Sequence, residues 1–157
     1  MVGFGYDVHQ LREGERLRLG GIEIPSPKGV IAHSDGDVLL HALCDALLGA
    51  VGLGDLGEHF PDTDPVYRGI SSHVLVERVV ALLRERGYRI VNVDATIVLQ
   101  EPKIAPYRGA MRQRIAELCD IPLERVSVKA TTPEHLGFVG RQEGIVAFCV
   151  CEVQPLL

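Results

Sequence analysis

The 157-residue chain has no run approaching the ~18 consecutive apolar residues of a membrane span. Its first residues, Met1-Val2-Gly3-Phe4-Gly5-Tyr6-Asp7, lack the basic-then-apolar layout of a secretory leader, so a soluble cytoplasmic protein is expected. There is no excess of basic charge either. Sixteen Lys and Arg stand against 21 Asp and Glu, a formal net charge of −5, which leaves no field to hold a nucleic-acid backbone. Nucleic acid and membrane are therefore not expected partners. The four cysteines, Cys44, Cys119, Cys149 and Cys151, form no C-x-x-C pair and read as small buried hydrophobes rather than as a thiolate zinc module. No repeat, linker or charge block divides the chain, so residues 1–157 read as one domain, long enough to bury a core without disulfides.

What is present alternates between strand and helix patterns. Val2 to Leu11 reads as a strand, and Leu17-Arg18-Leu19 and Ile22-Glu23-Ile24, joined at Gly20-Gly21, as a hairpin, with Pro25 to Gly29 as loop. Val38, Leu39, Ala42, Leu43, Ala46 and Leu47 form the apolar stripe of a helix over 35–51, with Ser34 at the N-cap and Asp37 completing a capping box. A long polar loop over 52–65 precedes a second helix, capped by Ser71 or Ser72 and stopped at Gly87. Residues 89–100 alternate as a half-buried strand, 106–119 form a third helix, and Val126, Val128 and Ala130 mark another strand. Residues 145–153 are apolar at nearly every position, which predicts a strand covered on both faces. The expected fold is α+β, a mixed sheet with helices packed on one face.

Several groups suit chemistry. Asp7 and His9 project to the same face of the first strand, and His41 on the first helix can meet them. Two His and one carboxylate suit Zn²⁺ with a fourth position open, but D-x-H on a strand arises easily by chance, and spacing alone favours a strand-end acid beside hydrogen-bonded core histidines. His33-Ser34-Asp35-Gly36-Asp37 opens the helix as an anion site or as an ordinary cap. Lys129, Thr131, Thr132, Pro133 and Glu134 suit a diphosphate with a hard cation, Mg²⁺ or Mn²⁺, or form a polar turn. Glu101-Pro102-Lys103-Ile104-Ala105-Pro106 is a stiff loop whose backbone can read a base edge, or a connector. Gly54 to Gly57 and Phe60 to Pro65 can hold sugar hydroxyls or serve as turns, and Asp45, one turn beyond His41, can orient its imidazole or lie exposed.

The order of these pieces along residues 5–145 resembles the 2-C-methyl-D-erythritol 2,4-cyclodiphosphate synthase family, most specifically through Ala32-His33-Ser34-Asp35-Gly36-Asp37 and Phe60-Pro61-Asp62-Thr63-Asp64-Pro65. The resemblance implies a homotrimer with sites between subunits, and conversion of 4-diphosphocytidyl-methylerythritol 2-phosphate to the cyclic diphosphate and CMP. It implies that Asp7, His9 and His41 hold Zn²⁺ and that Glu134 holds a second cation. His33 and Thr132 match transition-state-stabilising positions, and Ser34 a phosphate contact. Asp55, Leu56, Gly57, Phe60, Pro61, Asp62, Thr63 and Asp64 match the methylerythritol pocket. Leu99, Gln100, Glu101, Pro102, Lys103, Ile104 and Ala105, with Thr131, match the cytidine pocket, and Lys129, Pro133, Phe138 and Arg141 further substrate contacts. The rivals are a zinc-dependent phosphohydrolase and a non-catalytic metal or nucleotide sensor.

Overall fold

Gly3 and Gly5 decide how the two layers of the molecule meet. In the computed structural model, which describes residues 1–157, the elements run β1 (Val2–Glu13), β2 (Leu17–Leu19), β3 (Ile22–Ile24), β4 (Lys28–Ile31), α1 (Val38–Ala50), α2 (Leu56–His59), α3 (Ser72–Glu85), β5 (Tyr88–Val98), α4 (Arg108–Cys119), β6 (Val126–Thr131), α5 (Gly137–Gly140) and β7 (Gly144–Pro155). Five strands form one mixed sheet in the order β4-β1-β7-β5-β6, antiparallel except for the parallel β5–β6 pair that α4 connects. β2 and β3 make a separate hairpin. The expected α+β architecture is present.

α1 lies directly on β1. A Cβ at Gly3 would stand 1.8 Å from the carbonyl oxygen of Ala46, and one at Gly5 would stand 1.9 Å from that of Ala42. Only glycine lets a helix backbone approach a strand this closely. The helix side of the contact is equally small, with Ala42, Ala46 and Ala50 facing the strand. α1 is buried on nearly all sides, by β1, β7, α3 and the hairpin, and its less buried positions, His41, Asp45 and Gly49, repeat at four-residue intervals. The polar stripe that remains open on an otherwise sunken helix thus contains the first candidate ligand.

Two features of the sequence reading are corrected. Residues 25–29 do not form a loop throughout: β4 begins at Lys28 and pairs with the end of β1. Gly29, a loop signal in sequence, is a strand glycine because the backbone of Glu15 and Arg16 passes where its side chain would be, 2.2 Å from the Glu15 oxygen. The helix start also differs, since α1 is capped by Asp37 rather than by Ser34. The Asp37 carboxylate is fully buried and accepts from the Leu40 amide at 3.0 Å and from the Gly20 and Gly21 amides of the hairpin turn at 3.0 and 2.7 Å. Of the two readings of this helix start, the cap is the one present, supplied by the chain's own Asp37 carboxylate. Burial pushes the Asp37 carboxyl up, against the lowering effect of those amides.

The final strand is fully covered on one face, while on the other Val146 is buried and the rest is open to varying degrees. Ile145, Ala147, Cys149, Cys151 and Val153 are buried towards the helices, whereas Val150 is exposed with Val2, Phe4, Tyr6 and Val8 on the opposite side. The cysteines are free and buried as expected, and burial pushes the Cys119 thiol up to about 12 and the Cys151 thiol up to about 11. No helix is long and apolar enough to cross a membrane. Gly5→Ala should force α1 off the sheet and lower stability by about 1–3 kcal/mol, read as a drop in the urea midpoint.

Candidate metal and substrate site

Alternation along β1 places Asp7 and His9 on the inner face beyond the glycines, and the close seat of α1 brings His41 over them. Asp7 Oδ2, His9 Nε2 and His41 Nδ1 converge: the separations are 2.7 Å for Asp7–His9, 3.2 Å for Asp7–His41 and 3.3 Å for the two imidazoles. Ligand atoms about 2.0–2.1 Å from a tetrahedral Zn²⁺ sit about 3.3 Å from one another, so the donor set fits such an ion with little adjustment. All three residues are half-buried, so a fourth position can open to the adjoining cavity.

Electrostatics agree with a cation site. Burial alone would raise the Asp7 carboxyl, but hydrogen bonds and charge from His41 and His9 outweigh it and bring it down to about 2. Burial would lower the His41 imidazole, yet the Asp7 carboxylate, with Asp37 and Asp35 behind it, raises it. The other side of the imidazole is held too. His41 Nε2 lies 2.9 Å from Ser72 Oγ and 3.2 Å from Ser34 Oγ.

A cavity of about 470 Å³ opens beside the triad, lined by Asp7, His9, His33, Ser34 and His41 and by Leu56, Gly57, Phe60, Pro61 and Asp62. His33 Nε2 is buried there without a hydrogen-bond partner in the chain. The remaining acids of this loop face other tasks. Asp55 caps α2 through the Glu58 amide, and Asp64 caps the short 3₁₀ turn Pro65–Tyr67 through the Val66 amide. Neither they nor Thr63 line the cavity. Asp45 accepts the Leu56 amide at 2.7 Å and so anchors the loop to α1 instead of orienting His41.

The second group of predicted residues forms a separate recess. Leu99, Gln100, Pro102, Lys103, Ile104, Ala105, Thr131 and Thr132 line a cavity of about 170 Å³ at the ends of β5 and β6. Glu101 lies next to it in a polar hollow with Lys28, Lys103 and His135. The adjoining turn is tightly bent: Glu134 and His135 both take left-handed φ angles, 56° and 62°, and the His135 amide donates to Gln100 Oε1 at 3.0 Å. Thr132 Oγ1 stands 3.4 Å from Glu134 Oε1, and Pro133 between them completes the turn. Lys129 does not join this group, because it pairs with Asp94 at 2.9 Å on the outer face of β6. Phe138 lies in a shallow hollow with Val8 and His9, and exposed Arg141 pairs with Glu143 at 2.7 Å. The triad cavity and the β5–β6 recess share no lining residue within one chain.

Sequence reasoning did not find Tyr67, Ile70 and Leu75, which wall the triad cavity, or the role of Ser72. Ser72 was open to reading only as an alternative cap, and no local pattern distinguishes a capping serine from one turned inward. Ser71 is in fact the N-cap of α3, without a side-chain hydrogen bond.

The profile of the YgbB family matches residues 1–154. The chain belongs to the YgbB family. Among its relatives, a 2-C-methyl-D-erythritol 2,4-cyclodiphosphate synthase of Azotobacter vinelandii is 60% identical over 149 residues, 95% of each chain. The bifunctional IspDF of Campylobacter jejuni is 42% identical with a TM-score of 0.94, covering 98% of this chain. This chain spans only 42% of the length of that two-function protein. The CDP complex of Plasmodium falciparum IspF is 33% identical over 98% of this chain and 95% of its own, with a TM-score of 0.86. YgbB membership accounts for the order of motifs along the chain.

In the metal-free YgbB chain, the Asp7 interaction has a defined pH window. A carboxyl held below its ordinary 3.8 contributes stability above that value and loses it as pH falls towards 2. An imidazole raised above 6.5 contributes below that value and loses it as pH rises through its raised folded value. The stability gap between the wild type and Asp7→Asn, measured by urea unfolding in a chelator, should be widest from about pH 4 to 6.5 and narrow on both sides.

Proposed function

We propose that the chain converts 4-diphosphocytidyl-2-C-methyl-D-erythritol 2-phosphate to 2-C-methyl-D-erythritol 2,4-cyclodiphosphate and CMP, as a phosphorus–oxygen lyase of isoprenoid precursor synthesis in the cytoplasm. The observation that carries this reading is the convergence of Asp7, His9 and His41 beside a cavity lined by His33 and Ser34, in a chain 60% identical to a cyclodiphosphate synthase. A 2-phosphate oxygen forms the new bond to the β-phosphorus, and the bond from that phosphorus to the bridging oxygen breaks, its electron pair leaving with CMP. No protein nucleophile is required, so the work of the chain is placement and charge stabilisation.

Asp7, His9 and His41 hold Zn²⁺ in this reading, and Glu134 contributes to a Mg²⁺ or Mn²⁺ site. When bound, such cations polarise phosphate oxygens and neutralise charge that builds during transfer. His33, whose Nε2 is buried and otherwise unpartnered, donates to a phosphoryl oxygen, and Ser34 lies beside it. Thr132 offers its hydroxyl from the opposite recess. Leu56, Gly57, Phe60, Pro61 and Asp62 enclose the methylerythritol moiety. The loop over 99–105 receives cytosine through backbone groups, which explains how Glu101, Ile104 and Ala105 serve there without a demand for particular side chains.

The same geometry supports assembly as a homotrimer. The metal half and the cytidine half lie in separate recesses of one chain, and the exposed apolar face of β1 and β7 calls for a covering surface. Placing each site between neighbouring subunits answers both requirements.

His41→Ala should lose bound Zn²⁺ and nearly all CMP release, measured by elemental analysis and product chromatography; full turnover by this variant would refute the ligand assignment. Reaction in ¹⁸O-water should leave the cyclic product unlabelled, whereas a phosphohydrolase would label a phosphate. Co-refolding two inactive variants, His41→Ala and Thr132→Ala, should restore about a quarter of wild-type activity, the share of intersubunit sites with both halves intact in randomly mixed trimers. A mixture that stays inactive would place both halves in one subunit.

A further inference from the structure

The structure assigns Ser72 and Asp35 as positioning residues that fix the imidazole of His41 for metal binding, an inference that rests on the metal reading of the triad. His41 is gripped from two sides: Nδ1 faces Asp7 and His9, and Nε2 lies 2.9 Å from Ser72 Oγ. For Nδ1 to present a lone pair to a cation, the ring proton must sit on Nε2, where it donates to the serine oxygen.

A serine hydroxyl can rotate to donate or accept, so by itself it does not choose a tautomer. Asp35 removes that freedom. Its Oδ1 accepts the Ser72 hydroxyl proton, and its Oδ2 accepts the Ser72 amide at 2.9 Å. With the hydroxyl proton committed to the carboxylate, the serine oxygen is left as an acceptor for His41 Nε2–H. The direction of the relay is then fixed from Asp35 through Ser72 to the ring.

The relay is rigid. Ser72 is fully buried, and Asp35 is tied down by the amide of Asp37 at 3.2 Å and, through its own amide, by the Ile70 carbonyl at 3.1 Å. Arg18 of the hairpin places its Nε 3.7 Å from Asp35 Oδ2, and that nitrogen is buried with no other partner. The guanidinium holds the Asp35 carboxylate from the hairpin side. Ser34 Oγ, at 3.2 Å from His41 Nε2, is a longer contact and also accepts the Gly36 amide, so it does not replace Ser72.

The test is a zinc titration of the chelator-stripped protein against a chromophoric competitor, with thermal melts of each apoprotein run in parallel. Ser72→Ala and Asp35→Asn should each weaken zinc affinity about 10–100-fold, the size of effect typical of groups behind a metal ligand. The double variant should be no weaker than Ser72→Ala alone, because the carboxylate acts through the hydroxyl. Zinc affinity within about twofold of the wild type for Ser72→Ala, with only the apoprotein melt lowered, would make the serine structural and overturn the proposal. Wild-type affinity for Asp35→Asn would remove the carboxylate from the relay, and multiplied losses in the double variant would show that it acts on His41 independently. A wild-type chain that takes up no zinc would overturn the metal site itself, a result read before any variant is made.

Discussion

The backbone contact between α1 and the two glycines of β1 governs the rest of the site. At that separation no side chain intervenes between layers, so the helix is seated by its own carbonyls and by Ala42, Ala46 and Ala50. His41 stands one residue before the first of these alanines and inherits its height above the sheet from them. Asp7 stands two residues beyond Gly5 on the same face and inherits its position from the pleat. The triad is therefore a product of layer spacing. Dispersion and apolar burial hold α1 down over most of its length, and they act far from the polar atoms that they align.

Around this contact the chain arranges its carboxylates according to what surrounds each one. Asp7 faces two imidazoles and is held low. Asp37 and Asp45 face backbone amides, and burial prevails over those amides to push both up. These two acids connect segments: Asp37 locks the hairpin onto the start of α1, and Asp45 pins the start of α2. The walls of the triad cavity are thus fastened to the same helix that carries His41.

Much of this was legible in the sequence because it is local. Period-two alternation marked β1 and β5, the apolar stripe marked α1, and side-chain alternation put Asp7 and His9 together before any fold was known. The motif order identified the cavity residues from His33 to Asp62. What escaped depends on contacts between distant segments. β4 is short and carries Gly29, whose meaning is set by the backbone of residues 15–16. Ser34 and Asp37 are both good caps in isolation, and only the hairpin amides, some sixteen residues upstream, decide for Asp37. Lys129, open to reading as a phosphate cation or as part of a polar turn, pairs with Asp94 on the neighbouring strand, a partner no local pattern gives. Ser72 looks like any residue at a helix start until its burial is known.

Helix N-termini commonly serve as ready-made receptors for phosphate, because their free amides carry partial positive charge. In this molecule the Asp37 carboxylate has quenched that end of α1 from within. The cap takes the Leu40 amide that such a receptor would offer, and the chain as a whole carries a net charge of −5. Attraction at this surface therefore falls to side chains such as His33, whose buried Nε2 has no partner within the chain, rather than to the capped start of α1.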